Sequence, residues 1–149
     1  ELEERLSEVS ADLLLEVLPH HLAGEIAPRV QAEDEVTMTH RLRKSQAEID
    51  WTRSAIELER HIRAYAPEPG AYTTWEGKRF KIFKAEVVPA KVELPEAAEG
   101  EVFIWQDTPA VMTGKGALAL LQVQLAGKRP MNGAQFVRGR RDFAGAILE

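Results

Sequence analysis

The 149-residue sequence predicts a mainly β domain with flanking helices: a small antiparallel β-barrel preceded by an N-terminal helix and a linker. Three observations carry this expectation. Apolar residues recur at spacings of three and four within residues 2–18 and 54–65, and at a spacing of two from residue 71 onward. Glycine-bearing turn signals then punctuate the second half at short, regular intervals. No internal repeat or low-complexity tract offers a competing organisation.

Residues 2–18 read as one amphipathic helix. Leu2, Leu6, Val9, Leu13 and Val17 form its stripe, while Glu3, Glu4, Glu8, Asp12 and Glu16 take the other side. Pro19 is expected to close the helix, with Gly24 shortly beyond. A lone helix of this length is marginal in water, so the stripe is expected to pack on something. Left uncovered, it would promote self-association or disorder. The chain does not begin with Met, and we expect a piece of a longer protein. Residues 25–47 carry Pro28, the acidic run Glu33-Asp34-Glu35 and the basic residues Arg41, Arg43 and Lys44, and read as a connector.

A second helix follows. Ser54-Ala55-Ile56-Glu57 is a capping box, Ala55, Leu58, Ile62 and Tyr65 make a buried face, and Pro67 ends it. Trp51 stands just before the cap as an apolar anchor. Segments 71–75 and 79–88 flank the turn Glu76-Gly77-Lys78. Phe80, Ile82, Ala85 and Val87 are placed inward and Arg79, Lys81 and Lys84 outward, with a slip at Phe83 that a bulge would absorb. Segments 100–105 and 109–113 flank Gln106-Asp107-Thr108, and Gly114-Lys115-Gly116 turns the chain into 117–126. A short helix over 133–137 starts from Asn132 as its cap. Five strands of regular spacing predict a closed or nearly closed OB-like barrel.

Composition narrows the function classes. No run of about 18 apolar residues exists, so no transmembrane helix is expected. Glu1-Leu2-Glu3-Glu4-Arg5 lacks the pattern of a secretory signal. Zero cysteines exclude disulfides and thiolate chemistry and fit a reducing compartment. His20, His21, His40 and His61 have no metal-ligand spacing, so no metal is expected. There is no Gly-x-Ser-x-Gly elbow, and Gly114-Lys115-Gly116 lacks the spacing of a phosphate-binding loop. Nothing in the residues forms a catalytic constellation.

Charge is more informative. Residues 1–50 hold five basic and twelve acidic residues, whereas 51–149 hold fourteen and twelve. Within 108–141 stand Lys115, Lys128, Arg129, Arg138, Arg140 and Arg141, and no acidic residue. Such clusters neutralise phosphates and release condensed counterions, and Lys78, Arg79 and Lys81 add a further basic hairpin. The plainer reading is a solvated exterior. Trp75, Phe83 and Trp105 could stack on bases or pack in the core.

Several motifs occur in one order. Glu48-Ile49-Asp50-Trp51, Glu57-Leu58, Ile62-Arg63-Ala64 and Pro67-x-Pro69-Gly70-Ala71-Tyr72 come first. Gly77-Lys78-Arg79-x-Lys81-Ile82, Val111-x-Thr113-Gly114-x-Gly116-Ala117-Leu118, Leu121-Gln122-x-Gln124-x-x-Gly127-Lys128-Arg129 and Phe136-x-x-Gly139 follow. Over about residues 36–141 the chain resembles the C-terminal portion of methionyl-tRNA formyltransferases. That resemblance implies a domain order: 1–35 the tail of the N-terminal catalytic domain, 36–47 the linker, and 48–149 a tRNA-binding barrel. It implies a parent enzyme that formylates the methionine on initiator tRNA for translation initiation, with 10-formyltetrahydrofolate as donor. The family's catalytic Asn, His and Asp would lie upstream, so this chain is expected to be inactive alone and to bind no cofactor.

The implied partners are initiator methionyl-tRNA and the upstream catalytic domain, which would cover the first helix. No membrane partner is implied, and the setting is the bacterial cytoplasm or an organelle. The tRNA-side residues would be Arg41, Arg43, Lys44, Lys78, Arg79, Lys81, Lys128, Arg129, Arg138, Arg140 and Arg141. Two other readings stand beside this one: the barrel of a related formyltransferase or formyltetrahydrofolate-hydrolysing enzyme with a non-tRNA acceptor, and a stand-alone interaction barrel.

Overall fold

The computed structural model describes residues 2–149 in two units, Glu1–His40 and Arg41–Glu149. In the first unit, helix α1 spans Leu2–Leu22, and none of its residues is buried. The expected stop at Pro19 is corrected, because the helix runs through it. Proline withholds only its own amide, and the Pro19 carbonyl still accepts from the Ala23 N–H at 3.0 Å. The stop is Gly24, whose φ of 73° lets its N–H reach the His21 carbonyl and the Glu25 N–H reach the His20 carbonyl. Among the described residues no helix is long and apolar enough to cross a membrane.

The second unit begins with an extended segment and a 3₁₀ turn, Lys44–Ala47, which buries Ala47. Ile49 donates its N–H to the Tyr72 carbonyl at 2.8 Å, and Trp51 buries its ring while its Nε1 donates to Thr73 Oγ1 at 3.1 Å. Helix α2, Ala55–Tyr65, opens on the expected capping box: the Glu57 N–H donates to Ser54 Oγ and the Ser54 N–H to Glu57 Oε2. Its Ala55, Leu58 and Ile62 are buried at helical spacing.

The strands are β1 Ala71–Trp75, β2 Lys78–Val87, β3 Val102–Trp105, β4 Thr108–Met112, β5 Ala117–Leu125 and the two-residue β6 Met131–Asn132. Both hairpin turns are two residues long, with positive φ at Glu76 and Gly77 and at Gln106 and Asp107. That geometry matches the strand twist, so β2 and β4 each begin one residue earlier than the sequence predicts. The slip at Phe83 is a bulge, where the β2–β5 register shifts between Ile82 and Ala85. Helix α3, Gly133–Gly139, takes its cap from the Asn132 side chain, which accepts from the Ala134 N–H at 2.9 Å.

All strand pairs are antiparallel, in the order β1-β2-β5-β4-β3 with β6 also on β5. The mainly β class holds, but the strands leave the sheet open between β1 and β3. The C-terminal tail spans the gap. On the β3 side, Val102 donates to the Ala146 carbonyl, Gly145 to the Val102 carbonyl and Leu148 to the Gly100 carbonyl. On the β1 side, the main chains of Thr74 and Glu149 exchange hydrogen bonds of 2.7 and 3.0 Å. The β1 edge and the Val102 end of β3 are thereby paired, which shortens the open edge that could template aggregation.

Beneath the sheet, Trp75, Phe80, Phe136 and Phe143 interlock with ring centroids 4.8–6.3 Å apart. Trp75 is therefore core rather than a stacking platform. The bend at Gly114 packs against the start of α2, its N–H donating to the Trp51 and Arg53 carbonyls. A Cβ there would sit 1.8 Å from the Thr52 carbonyl oxygen, main chain that cannot yield cheaply. Gly114→Ala is expected to lower the unfolding free energy by about 3 kcal/mol or more, whereas Gly127→Ala, with open space for a Cβ, bears only the strain of its φ of 77°. Urea melts of the two variants test the ranking, and equal midpoints would contradict it.

Candidate nucleic-acid interface

The register decides where the basic side chains gather. In the β1–β2 hairpin Tyr72 pairs with Lys81 and Thr74 with Arg79, so Tyr72, Arg79 and Lys81 share one face. Leu125 at the end of β5 pairs with Phe80 near the start of β2, and the Ala126 N–H donates to the Arg79 carbonyl at 2.9 Å. The turn holding Lys128 and Arg129 therefore lies at the same end of the sheet as Lys78 and Arg79. It is held there by Gln124, which pairs with Lys81 and donates through Nε2 to the Lys128 carbonyl at 2.8 Å.

Arg140 reaches the same end, anchored differently. Its guanidinium lies 3.1 Å from Glu76 Oε2 and 2.8 Å from Asp142 Oδ2, and its centre is 4.4 Å from the Trp75 ring. Asp142 above all, and then Glu76, holds Arg140 even more firmly protonated than usual. Arg140 in turn keeps the Asp142 carboxyl below the ordinary carboxylate range. With two carboxylates and a ring face on it, Arg140 pins the last helix to the hairpin. Arg138 and Arg141 flank it in sequence and are exposed.

A second grouping is a cleft of about 50 Å³ lined by Lys44, Glu68, Pro69, Gly70, Tyr72, Arg79 and Lys81. The Arg79 guanidinium lies 4.3 Å from the Tyr72 ring centroid. Lys81 Nζ donates to the Pro69 carbonyl at 2.7 Å and stands 6.0 Å from the Phe83 ring. Lys44 enters from the 3₁₀ turn that the Ile49–Tyr72 hydrogen bond ties to β1. Arg41 and Arg43 precede it, exposed, and do not line the cleft.

Among the described residues, Arg41, Arg43, Lys44, Lys78, Arg79, Lys81, Lys128, Arg129, Arg138 and Arg141 make no ion pair. Sequence reasoning missed Tyr72 as the support of Arg79 and missed the carboxylates on Arg140. The first was within reach: placing a two-residue turn at Glu76-Gly77 puts Tyr72 diagonally across from Arg79. Of the second, Asp142 is two residues from Arg140 and was also within reach, whereas Glu76 is 64 positions away and had no local signal.

The profile of the family described as formyl transferase, C-terminal domain, matches residues 41–141, starting where the second unit starts. The chain belongs to that family. Curated relatives of this formyl transferase C-terminal domain are named methionyl-tRNA formyltransferase. One from Chloroflexus aurantiacus is 42% identical over 140 residues, covering 93% of this chain and 44% of its own length. One from Roseiflexus is 41% identical over 147 residues, covering 99% and 45%. The chain thus spans less than half the length of these relatives. Among solved structures, HypX from Aquifex aeolicus superposes with a TM-score of 0.69 at 20% identity, over 89% of this chain and 24% of that one. At that identity the likeness speaks for the formyl transferase C-terminal fold alone.

Proposed function

We propose that this chain is the tRNA-gripping C-terminal part of a methionyl-tRNA formyltransferase, whose whole formylates methionine on initiator tRNA with 10-formyltetrahydrofolate as donor. In this reading 1–35 is the tail of the catalytic domain, whose remainder covers the α1 stripe, and 36–47 is the linker. The setting is cytoplasmic translation initiation, and the chain is inactive alone. The observation that supports it is the gathering of Lys78, Arg79, Lys128 and Arg129 at one end of the sheet with no carboxylate paired to them. Arg41, Arg43, Lys44, Lys81, Arg138 and Arg141 extend this surface, and Arg140 serves as its anchor. In this reading the folate donor is held by the upstream catalytic domain, together with the family's catalytic Asn, His and Asp.

Lys and Arg reach phosphates without reading bases, so the grip is backbone-directed and salt-sensitive. Titrating the chain with initiator tRNA across KCl concentrations is expected to give a linear log–log fall in affinity. Each phosphate that Lys128→Ala/Arg129→Ala leaves without its cation should flatten the slope by about 0.7–0.9. Absence of binding at low salt would defeat the reading and favour a formyltransferase with a non-tRNA acceptor.

A further inference from the structure

The cleft between the Lys44 turn and the β1–β2 hairpin has a more specific chemistry than the rest of the basic surface. We infer that Lys44, Arg79 and Lys81 form a seat for one backbone phosphate of the bound RNA, with Tyr72 holding Arg79 in position. This inference rests on the tRNA reading above and deepens it to a single site.

Three features carry it. The first is convergence: three cations from two separate segments line one small cleft, against a single carboxylate, Glu68. A net charge of two positive in so small a space repels itself, and an anion relieves that repulsion. The second is preorganisation. Arg79 lies over the Tyr72 ring at 4.3 Å, which fixes the plane of its donor fork. Lys81 directs one of its three donors to the Pro69 carbonyl at 2.7 Å, which fixes its ammonium and leaves two donors for a ligand. Side chains already ordered lose less freedom when a ligand arrives.

The third feature is size and shape. Gly70 adjoins the cleft with a φ of 79°, and a Cβ there would come within 3.2 Å of both the Lys81 stem and the Phe83 ring. The absent side chain leaves the Lys81 stem and the Pro69 carbonyl where they are. The cleft, about 50 Å³, has room for a phosphate group. One face of the Tyr72 ring is already covered by Arg79. Donors dominate the lining, which suits an acceptor-only ligand such as a phosphodiester.

Because three cations share one phosphate, their removal should not add up in the salt dependence. With the 149-residue chain and a tRNA transcript, Lys44→Ala/Arg79→Ala/Lys81→Ala is expected to flatten the log–log salt slope by about 0.7–0.9, the equivalent of one phosphate. Arg79→Ala alone leaves two cations on that phosphate, so it should weaken binding at fixed salt and change the slope by less. Tyr72→Leu, which keeps every charge, should weaken binding by releasing Arg79. Lys44 is exposed, so Lys44→Ala remains informative if a hairpin variant is unstable.

Steep salt dependence in the unaltered chain, with a slope unchanged in the triple variant, would overturn the seat while the tRNA reading stands. A slope flattened by the equivalent of two or three phosphates in the triple variant would equally overturn it, since the cations would then serve separate phosphates. No tRNA binding by the unaltered chain would remove the underlying reading itself.

Discussion

Deleting residues 145–149 is expected to destabilise the second unit by about 5–7 kcal/mol, a large part of the roughly 5–15 kcal/mol that holds a typical domain together. Five main-chain hydrogen bonds join this tail to the two sheet edges, each worth about 1 kcal/mol net. Leu148, only 3% exposed, adds about 2 kcal/mol of apolar burial. Thr73 would lose the acceptor of its hydroxyl, the Glu149 carbonyl at 2.6 Å. The freed edges of β1 and β3 would also present unpaired main-chain groups to other molecules. Urea unfolding and light scattering report the two effects separately. A truncated chain with the original midpoint and no aggregation would show that the tail is an ornament.

Trp75→Ala is expected to cost about 3–5 kcal/mol, the range for removing a buried aromatic side chain. Trp75 is 3% exposed and touches Phe80, Phe136 and Phe143 edge-on, so neither a strand nor α3 can collapse into the vacated space without disturbing its other neighbours. The same ring carries Arg140 on its outer face. Losing it should therefore loosen the ion pair to Glu76 and the seating of the last helix as well as the core. Trp75→Phe, which keeps a ring, should cost much less. A Trp75→Ala variant that melts within about 1 kcal/mol of the parent would mean that the aromatic cluster repacks freely.

Much of the fold was legible because its causes are local. The capping box at Ser54 and Glu57, the Asn132 cap and the slip at Phe83 each act within a few residues, and each is present. The two hairpins were legible for the same reason, since a two-residue turn sets both the loop and the register. The end of α1 was misjudged because a local stop signal at Pro19 competed with Gly24. Proline lacks one donor, whereas glycine's left-handed backbone actively redirects the chain.

Residue order alone was enough to specify the helix caps, the strand alternation, the separation of a basic second half from an acidic first half, and the motifs that carry the family resemblance. All of these depend on neighbours in the chain or on composition. It took the assembled sheet to bring the tail across β1 and β3, to sink Trp75 into the core, to neutralise Arg140 with Glu76, and to gather Lys44, Arg79 and Lys81 around Tyr72. The links from Lys44 to Arg79, from Glu76 to Arg140 and from the tail to the sheet edges join residues 35 to 76 positions apart. No local interaction favours them until strand pairing has closed the intervening loops, so they follow from the tertiary fold rather than from any stretch of sequence.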